Sequence, residues 1–261
     1  MNATLMTITP EWAQKILTEK NTRNRPLNKT HVASLAKEIR CGRWKLNGDT
    51  ICLSDSRLID GQHRLAAIVE AGVPVQSFVV EGVSCDVFDT KDVGKRRSPG
   101  DTLGVRGESN SSRLASALVV IDRYFTGRSE STVGYTNTEV EELLEKYPGA
   151  RDSIQTGHKG KSIIFPSVLD ACHYLFSQKD KNLANEFVVK IIQGTGLEEG
   201  SPWYVLRERL MKNSLSKAKL SRPYVMALCI KAWNSARVGS SVRCLRWREA
   251  GDQSENFPLI K

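Results

Sequence analysis

The chain lacks most of the signatures that announce a function. No two of its six cysteines (Cys41, Cys52, Cys85, Cys172, Cys229 and Cys244) form a Cys-x-x-Cys pair. That excludes a zinc ribbon and a redox dithiol and argues against a disulfide scaffold. Each cysteine is expected to be a free, buried or half-buried thiol, and the compartment expected is a reducing cytoplasm. No apolar run approaches the ~18–20 residues that span a bilayer, so no membrane partner is expected. The opening residues Met1 to Pro10 lack a charged segment followed by an apolar one, so no secretory leader is expected. There is no Gly-x-x-x-x-Gly-Lys-Ser/Thr loop, no His-Glu-x-x-His and no Gly-x-Ser-x-Gly. P-loop ATPases, zincins and α/β-hydrolases are therefore set aside. Histidine is scarce, with four in the chain. His31 and His173 lie on helical patterns without partners at metal-ligand spacing and read as structural. His158, in a Gly/Lys stretch, reads as exposed or as a phosphate contact.

What is present is an ordinary globular composition, 40% hydrophobic and 26% charged over 261 residues. That is enough for one large or two small domains. The net charge of +9 is unevenly placed. Residues 201–250 hold eleven bases and two acids, whereas the other 211 residues carry 27 of each. A neutral body with one basic segment points to a phosphate-rich partner, most simply DNA, with Arg237, Arg243, Arg246 and Arg248 as its contacts. A solvated helix face is the plainer alternative. Trp203, Tyr204, Trp233 and Trp247 lie among these bases, where they can stack bases of single strands or fill a core.

Two textures meet near residue 105, which predicts domains over 1–105 and 106–261. The fold class expected is α+β: a small mixed α/β domain followed by an α-helical one. In the first, Thr30 is placed to cap a helix over 31–41 whose Val32, Leu35, Ala36 and Ile39 recur at helical spacing, with Gly42 as its stop. Thr50–Leu53 and Arg57–Ile59 read as short strands, Leu65–Ala71 as a helix ended by Gly72, and Val75–Val80 as a part-buried strand. In the second, helices are predicted over about 111–126, 137–147, 166–178, 182–193, 202–213 and 221–237. Thr138 and Glu141 have capping-box spacing, and the polar, basic segment 155–162 reads as a loop.

The sharpest feature is Leu58-Ile-Asp-Gly-Gln-His-Arg-Leu65, a strand that ends at a glycine and passes into a helix. Orphan amides and the positive dipole end of such a helix make a natural anion site. Gly61 lets backbone approach a ligand closely, and Arg64 offers a fork of donors suited to phosphate. Asp60 can hold a divalent metal or orient a hydroxyl, and His63 can move a proton near neutral pH. Helix capping with surface charge is the alternative reading of the same residues.

Ile59-Asp-Gly-Gln-His-Arg-Leu-Ala-Ala-Ile68, followed by Ala71-Gly-Val-Pro-Val75, resembles the signature of the ParB/sulfiredoxin superfamily. Gly61, Arg64 and Ala67 match the Gly-x-x-Arg-x-x-Ala of its partition proteins. Asp60, Gly61, His63 and Arg64 match the Asp-Gly-x-His-Arg of its serine kinases. Arg23-Asn-Arg-Pro-Leu27 is similar to the family's Arg-containing entry segment, and the likeness covers about residues 8–115. Position 62 is Gln where sulfiredoxin needs its catalytic Cys, so sulfinate reduction is not implied. Further on, Asp92-Val-Gly-Lys-Arg-Arg97 and Asn110-Ser-Ser-Arg113 fall where a second phosphate-facing segment is expected; Asn110 and Arg113 keep the Asn-x-x-Arg of the CTP-binding partition proteins, with Ser109 in place of Glu. As a whole the chain is similar to ParB-like proteins of phages and mobile elements, whose C-terminal regions carry the Ala232-Trp-Asn234 and Phe257-Pro258 seen here.

The resemblance implies that Gly61, Gln62, Arg64, Arg25, Asn110 and Arg113 hold a nucleotide, ATP or CTP. It also implies Mg²⁺ on Asp60, with Asp60 and His63 acting on the phosphate as a nucleoside triphosphatase or phosphotransferase, accompanied by association with DNA. A homodimer is compatible with it. A partition-like or regulatory DNA-binding module without catalysis is one alternative; a ParB-like nuclease or a small-molecule kinase is another. A two-metal nuclease needs several clustered carboxylates, and only Asp60 is placed.

Overall fold

The computed structural model describes residues 1–22, 24–84, 97–154, 163–249 and 251–261. The readings placed on Arg23, Cys85, residues 92–96, His158 and the 155–162 segment lie outside the described residues. The chain divides into two compact units, Met1–Lys95 and Arg96–Lys261, and its class is α+β, 52% helical with one small sheet. No described helix is long and apolar enough to cross a membrane.

The first unit is a four-stranded mixed sheet with three helices. Strand β1 (Asn2–Ile8) leads through Thr9, whose hydroxyl caps the Trp12 amide, into α1 (Pro10–Lys20), with proline at the position where its missing N–H costs nothing. Helix α2 (Lys29–Arg40) buries Val32, Ala36 and Ile39 as its spacing predicts. It starts earlier than expected because Asn28, not Thr30, is its cap: the Asn28 side chain accepts from the His31 amide at 3.0 Å. Strands β2 (Thr50–Leu53) and β3 (Leu58–Asp60), helix α3 (Gln62–Ala71) and strand β4 (Val75–Glu81) follow. The sheet order is β1-β4-β2-β3, with β1–β4 and β2–β3 antiparallel and β2–β4 parallel. Ile8, Ile51, Leu58, Leu65 and Ile68 are fully enclosed between sheet and helices. That core fixes where β3 ends and α3 begins.

The second unit is helical: α4 (Pro99–Val105), α5 (Ser111–Phe125), α6 (Asn137–Lys146), α7 (Ala150–Ile154), α8 (Pro166–Ser177), α9 (Lys181–Ile192), α10 (Pro202–Leu215) and α11 (Arg222–Arg237). The unit begins before residue 105 because α4 belongs to its core. Leu103 is fully buried there, and a Cβ on Gly100 would lie 2.6 Å from the Ser112 backbone. The capping box that starts α6 is Thr136 with Glu139, two residues upstream of the expected Thr138 and Glu141. Trp233 stacks on Phe176 at 4.2 Å, and Trp203 packs against Phe187. Trp247 is buried too, its indole donating to the Glu255 carbonyl at 3.1 Å. These three tryptophans are therefore core residues and present no face to nucleic acid. Cys52, Cys172 and Cys229 are buried free thiols, whereas Cys41 and Cys244 are exposed, contrary to expectation.

Candidate functional site at the β3–α3 turn

Helix α3 begins without a side-chain cap. Its N-cap is Gly61, in the left-handed region at φ 105°. A Cβ there would meet Ile51 Cγ1 at 3.2 Å, so both the turn and its approach to β2 call for glycine. The Gly61 carbonyl accepts from Leu65, the first regular helical bond. The amides of Gln62, His63 and Arg64 lie ahead of that bond, where a helix has no internal acceptors to offer.

The segment after α1 is drawn across this turn by three hydrogen bonds. Asn24 Nδ2 donates to the Leu58 carbonyl at 2.9 Å, Gln62 Nε2 donates to the Arg25 carbonyl at 3.1 Å, and the Asn28 amide donates to His63 Nε2 at 3.1 Å. The entry segment and the Asp-Gly-Gln-His-Arg turn, 37 residues apart at Arg25 and Gln62, thus meet. Arg25 itself is exposed. Gln62 is only 8% exposed, and its Oε1 is buried with no hydrogen-bond partner among the described residues. An acceptor in that state costs about 1–3 kcal/mol unless something donates to it.

The charged groups of the turn are already engaged. Asp60 Oδ1 accepts from the Gly61 amide at 2.6 Å, and Oδ2 accepts from Arg64 at 3.1 Å. The other Arg64 terminal nitrogen lies 3.5 Å from Asp49, whose side chain is 65% exposed. Arg64 therefore sits between a held carboxylate and a loose one. His63 uses Nε2 as an acceptor for the Asn28 backbone N–H. Its ring lies 5.2 Å from that of His31. In this arrangement Asp60, expected as a catalytic group, orients Arg64 and the turn, and His63 fixes the entry segment. No protein-family model, curated protein or solved structure matches this chain. The site rests on its own geometry.

The donors present do not fit a resident metal. No group of three or more His, Cys, Asp or Glu side chains gathers among the described residues, and the Asp60 oxygens hold Gly61 and Arg64.

The remaining expected ligands of the nucleotide, and the basic segment, lie in the second unit. Asn110 is the exposed start of α5, left-handed at φ 50° and without a side-chain cap bond. Arg113, expected as a phosphate ligand, forms a two-pronged ion pair with Asp170, which is fully buried on α8. That pair joins α5 to α8. Of the basic segment, Arg237, Arg243 and Arg246 are exposed and Arg248 is half-buried. Other bases there hold structure: Lys231 bonds the Arg246 carbonyl and pairs with Glu255, and Arg207 donates to the Ile191 carbonyl. The Glu255 carboxyl is held below the usual carboxylate range, first by Lys231 and further by the nearby Arg248 charge.

Sequence reasoning missed Asp49 and Asn24. Asn24 left a weak signal in a polar run before a helix; Asp49 left none, because its role is set by how the 42–49 loop returns to β2.

Proposed function

We propose that the β3–α3 turn binds a nucleoside triphosphate, ATP or CTP, and that the first unit is a ParB/sulfiredoxin-like nucleotide-binding domain. One observation carries this reading: an uncapped helix start lies beside a buried, unpartnered glutamine carbonyl. The amides of α3 and Arg64 are donors suited to phosphate oxygens. Gln62 Oε1 is an acceptor suited to a ribose hydroxyl or an exocyclic amine. A nucleotide presents both signs within one molecule, whereas inorganic phosphate at neutral pH offers mainly acceptors. The triphosphate enters with Mg²⁺ carried on its own oxygens and water, and Asp49 swings away to free the outer face of Arg64. The reading is binding rather than turnover, since His63 and Asp60 are occupied as described.

Titration calorimetry of the full chain with ATP, CTP and GTP, each with Mg²⁺ or EDTA, tests this. A saturable signal is expected for ATP or CTP. Arg64→Ala should weaken it roughly ten- to a hundredfold, the value of a charged hydrogen bond of about 1.5–3 kcal/mol. Asp49→Asn should tighten it a few-fold by releasing a surface pair of about 0.2–1 kcal/mol. Absence of binding by any nucleotide, or indifference of both variants, would overturn the reading.

DNA association is a second reading, supported by Arg237, Arg243 and Arg246, which are exposed and unpaired with carboxylates among the described residues. Reversing all three charges should flatten the slope of log affinity against log salt by roughly 0.9 per lost phosphate contact.

A further inference from the structure

A concavity lies wholly inside the helical unit, bounded by α4, α5, α6, α8 and α11, with a volume of about 360 Å³. That is within the range of small-molecule sites, about 300–1,000 Å³. Its wall is apolar: Val119 and Val120 from α5, Val140 from α6, Val168 from α8 and Met226 from α11. Its charge has one sign. Arg123 and Arg222 line it, together with the hydroxyls of Ser112, Ser116 and Ser167, and no lining residue is acidic.

Neither arginine is paired with a carboxylate among the described residues. Arg123 is aimed by one bond, from a terminal nitrogen to the Val133 carbonyl at 2.7 Å, and its guanidinium lies 5.8 Å from the Tyr135 ring centre. Its Nε is buried with no hydrogen-bond partner. Arg222 lies over the Phe165 ring at 5.5 Å, a contact that positions a guanidinium while leaving its charge uncompensated. The Tyr135 hydroxyl at the margin donates to Asp122 at 2.8 Å. Asp122 is in turn answered by Lys146 at 3.0 Å and Arg128 at 3.5 Å, and Asp101, bonded to the lining Ser98, accepts from the Ser98 amide and hydroxyl at 2.8 Å each. The first turns of α8, through Ser167 and Val168, and of α11, through Arg222 and Pro223, border the same space. Their positive ends add to the potential of the two arginines.

We infer that this cavity binds a small organic anion, an oxyanion head on an apolar body, with Arg123 and Arg222 on the head and the valine wall on the body. The inference is independent of the nucleotide reading, which concerns the other unit. Carboxylate and phosphate heads share this chemistry.

Titration calorimetry of the full chain with phenyl phosphate, 3-phenylpropanoate, 3-phenylpropylamine, 3-phenylpropanol and inorganic phosphate tests it. The two organic anions should saturate, and the tighter one identifies the head. The amine should not bind, and the alcohol and inorganic phosphate should each bind at least tenfold more weakly. Arg222→Gln, at an exposed first-turn position, should weaken the better anion tenfold or more. Ser116→Phe, which fills the space without changing charge, should abolish its binding. Melting temperature and circular dichroism of both variants show whether the fold persists. Equal binding of alcohol and anion, indifference to Arg222→Gln in a folded protein, or no saturable anion at all would overturn the inference.

Discussion

Asp60–Arg64 and Arg113–Asp170 are the same two residue types joined by the same kind of hydrogen bond, yet they serve different ends. The first pair is local, one helical turn apart at the mouth of α3, and both side chains remain part-exposed at 16% and 21%. Asp49 touches the same guanidinium from outside. The second pair spans 57 residues, and its aspartate has no exposed surface. A part-exposed pair with a loose third member can exchange a carboxylate for a phosphate. A buried bidentate pair cannot open without stranding a charge. What distinguishes the two pairs is therefore saturation and burial, neither of which the residue types reveal.

That contrast is open to direct test. The largest effect is expected at the buried pair: Asp170→Asn should cost about 3–5 kcal/mol, the usual penalty for stranding a buried partner. Replacing both residues together (Arg113→Met with Asp170→Leu) should recover most of it. Urea unfolding of the full chain measures this, and a loss under ~1 kcal/mol would erase the distinction between the two pairs.

Next comes Asp122, which gathers Tyr135, Lys146, Tyr147 and Arg128 around one buried carboxylate. Burial pushes its carboxyl up, but the hydrogen bonds from Tyr135, Lys146 and Tyr147 together hold it below the usual carboxylate range. A group lowered in the folded state stabilises above its unfolded pKa of about 3.9 and loses that contribution as pH falls through the folded value. Asp122→Asn should therefore cost about 1–3 kcal/mol at pH 7 and flatten the acid limb of the stability curve below about pH 4. Its Tyr135 partner is pushed up to about 12, by burial first and then by the Asp122 bond. Absorbance titration should show a late phenol that Tyr135→Phe removes; a full tyrosine complement titrating near 10 would contradict the network.

Comparable in size is Gly61→Ala. Its φ of 105° and the Ile51 contact at 3.2 Å predict a cost of about 1–3 kcal/mol, that of a strained backbone position. A neutral result by thermal melting would mean that β2 and α3 yield easily at the turn. The smallest effect is Asp60→Asn, which should change stability by less than ~1 kcal/mol because the pair is part-exposed. Should Asp60→Asn rival Asp170→Asn in the same urea series, the turn is a brace as well.

Much of this architecture was legible from periodicity and punctuation. The longer helices of the second unit lie within a few residues of expectation because Pro166, Pro202 and Pro223 mark their first turns. Strand β1 and helix α1 escaped notice because Asn2-Ala-Thr-Leu carries little alternation and its residues are exposed. At the site, the glycine turn, Gln62 and Arg64 were legible as residues. Their partners were not: Asn24, Asn28 and Asp49 arrive through loops, and no spacing rule connects residue 49 to residue 64. The partner of Arg113 was not legible either, because Asp170 lies 57 residues away, beyond the reach of any local pattern.

The carboxyl-terminal strap has a kinetic meaning. The Ile260 amide donates to the Tyr124 hydroxyl at 2.8 Å, across 136 residues, and Asn234 holds both the Leu259 carbonyl and the Lys261 amide. A helical unit made of neighbouring contacts can fold in pieces as it is synthesised. This one reserves a clasp between α5 and the last residues, so α5 must wait through the synthesis of nearly the whole unit before its surface at Tyr124 is covered. During that interval the half-made protein leaves the Tyr124 hydroxyl without its Ile260 donor, and it is then that a chaperone would have most to hold.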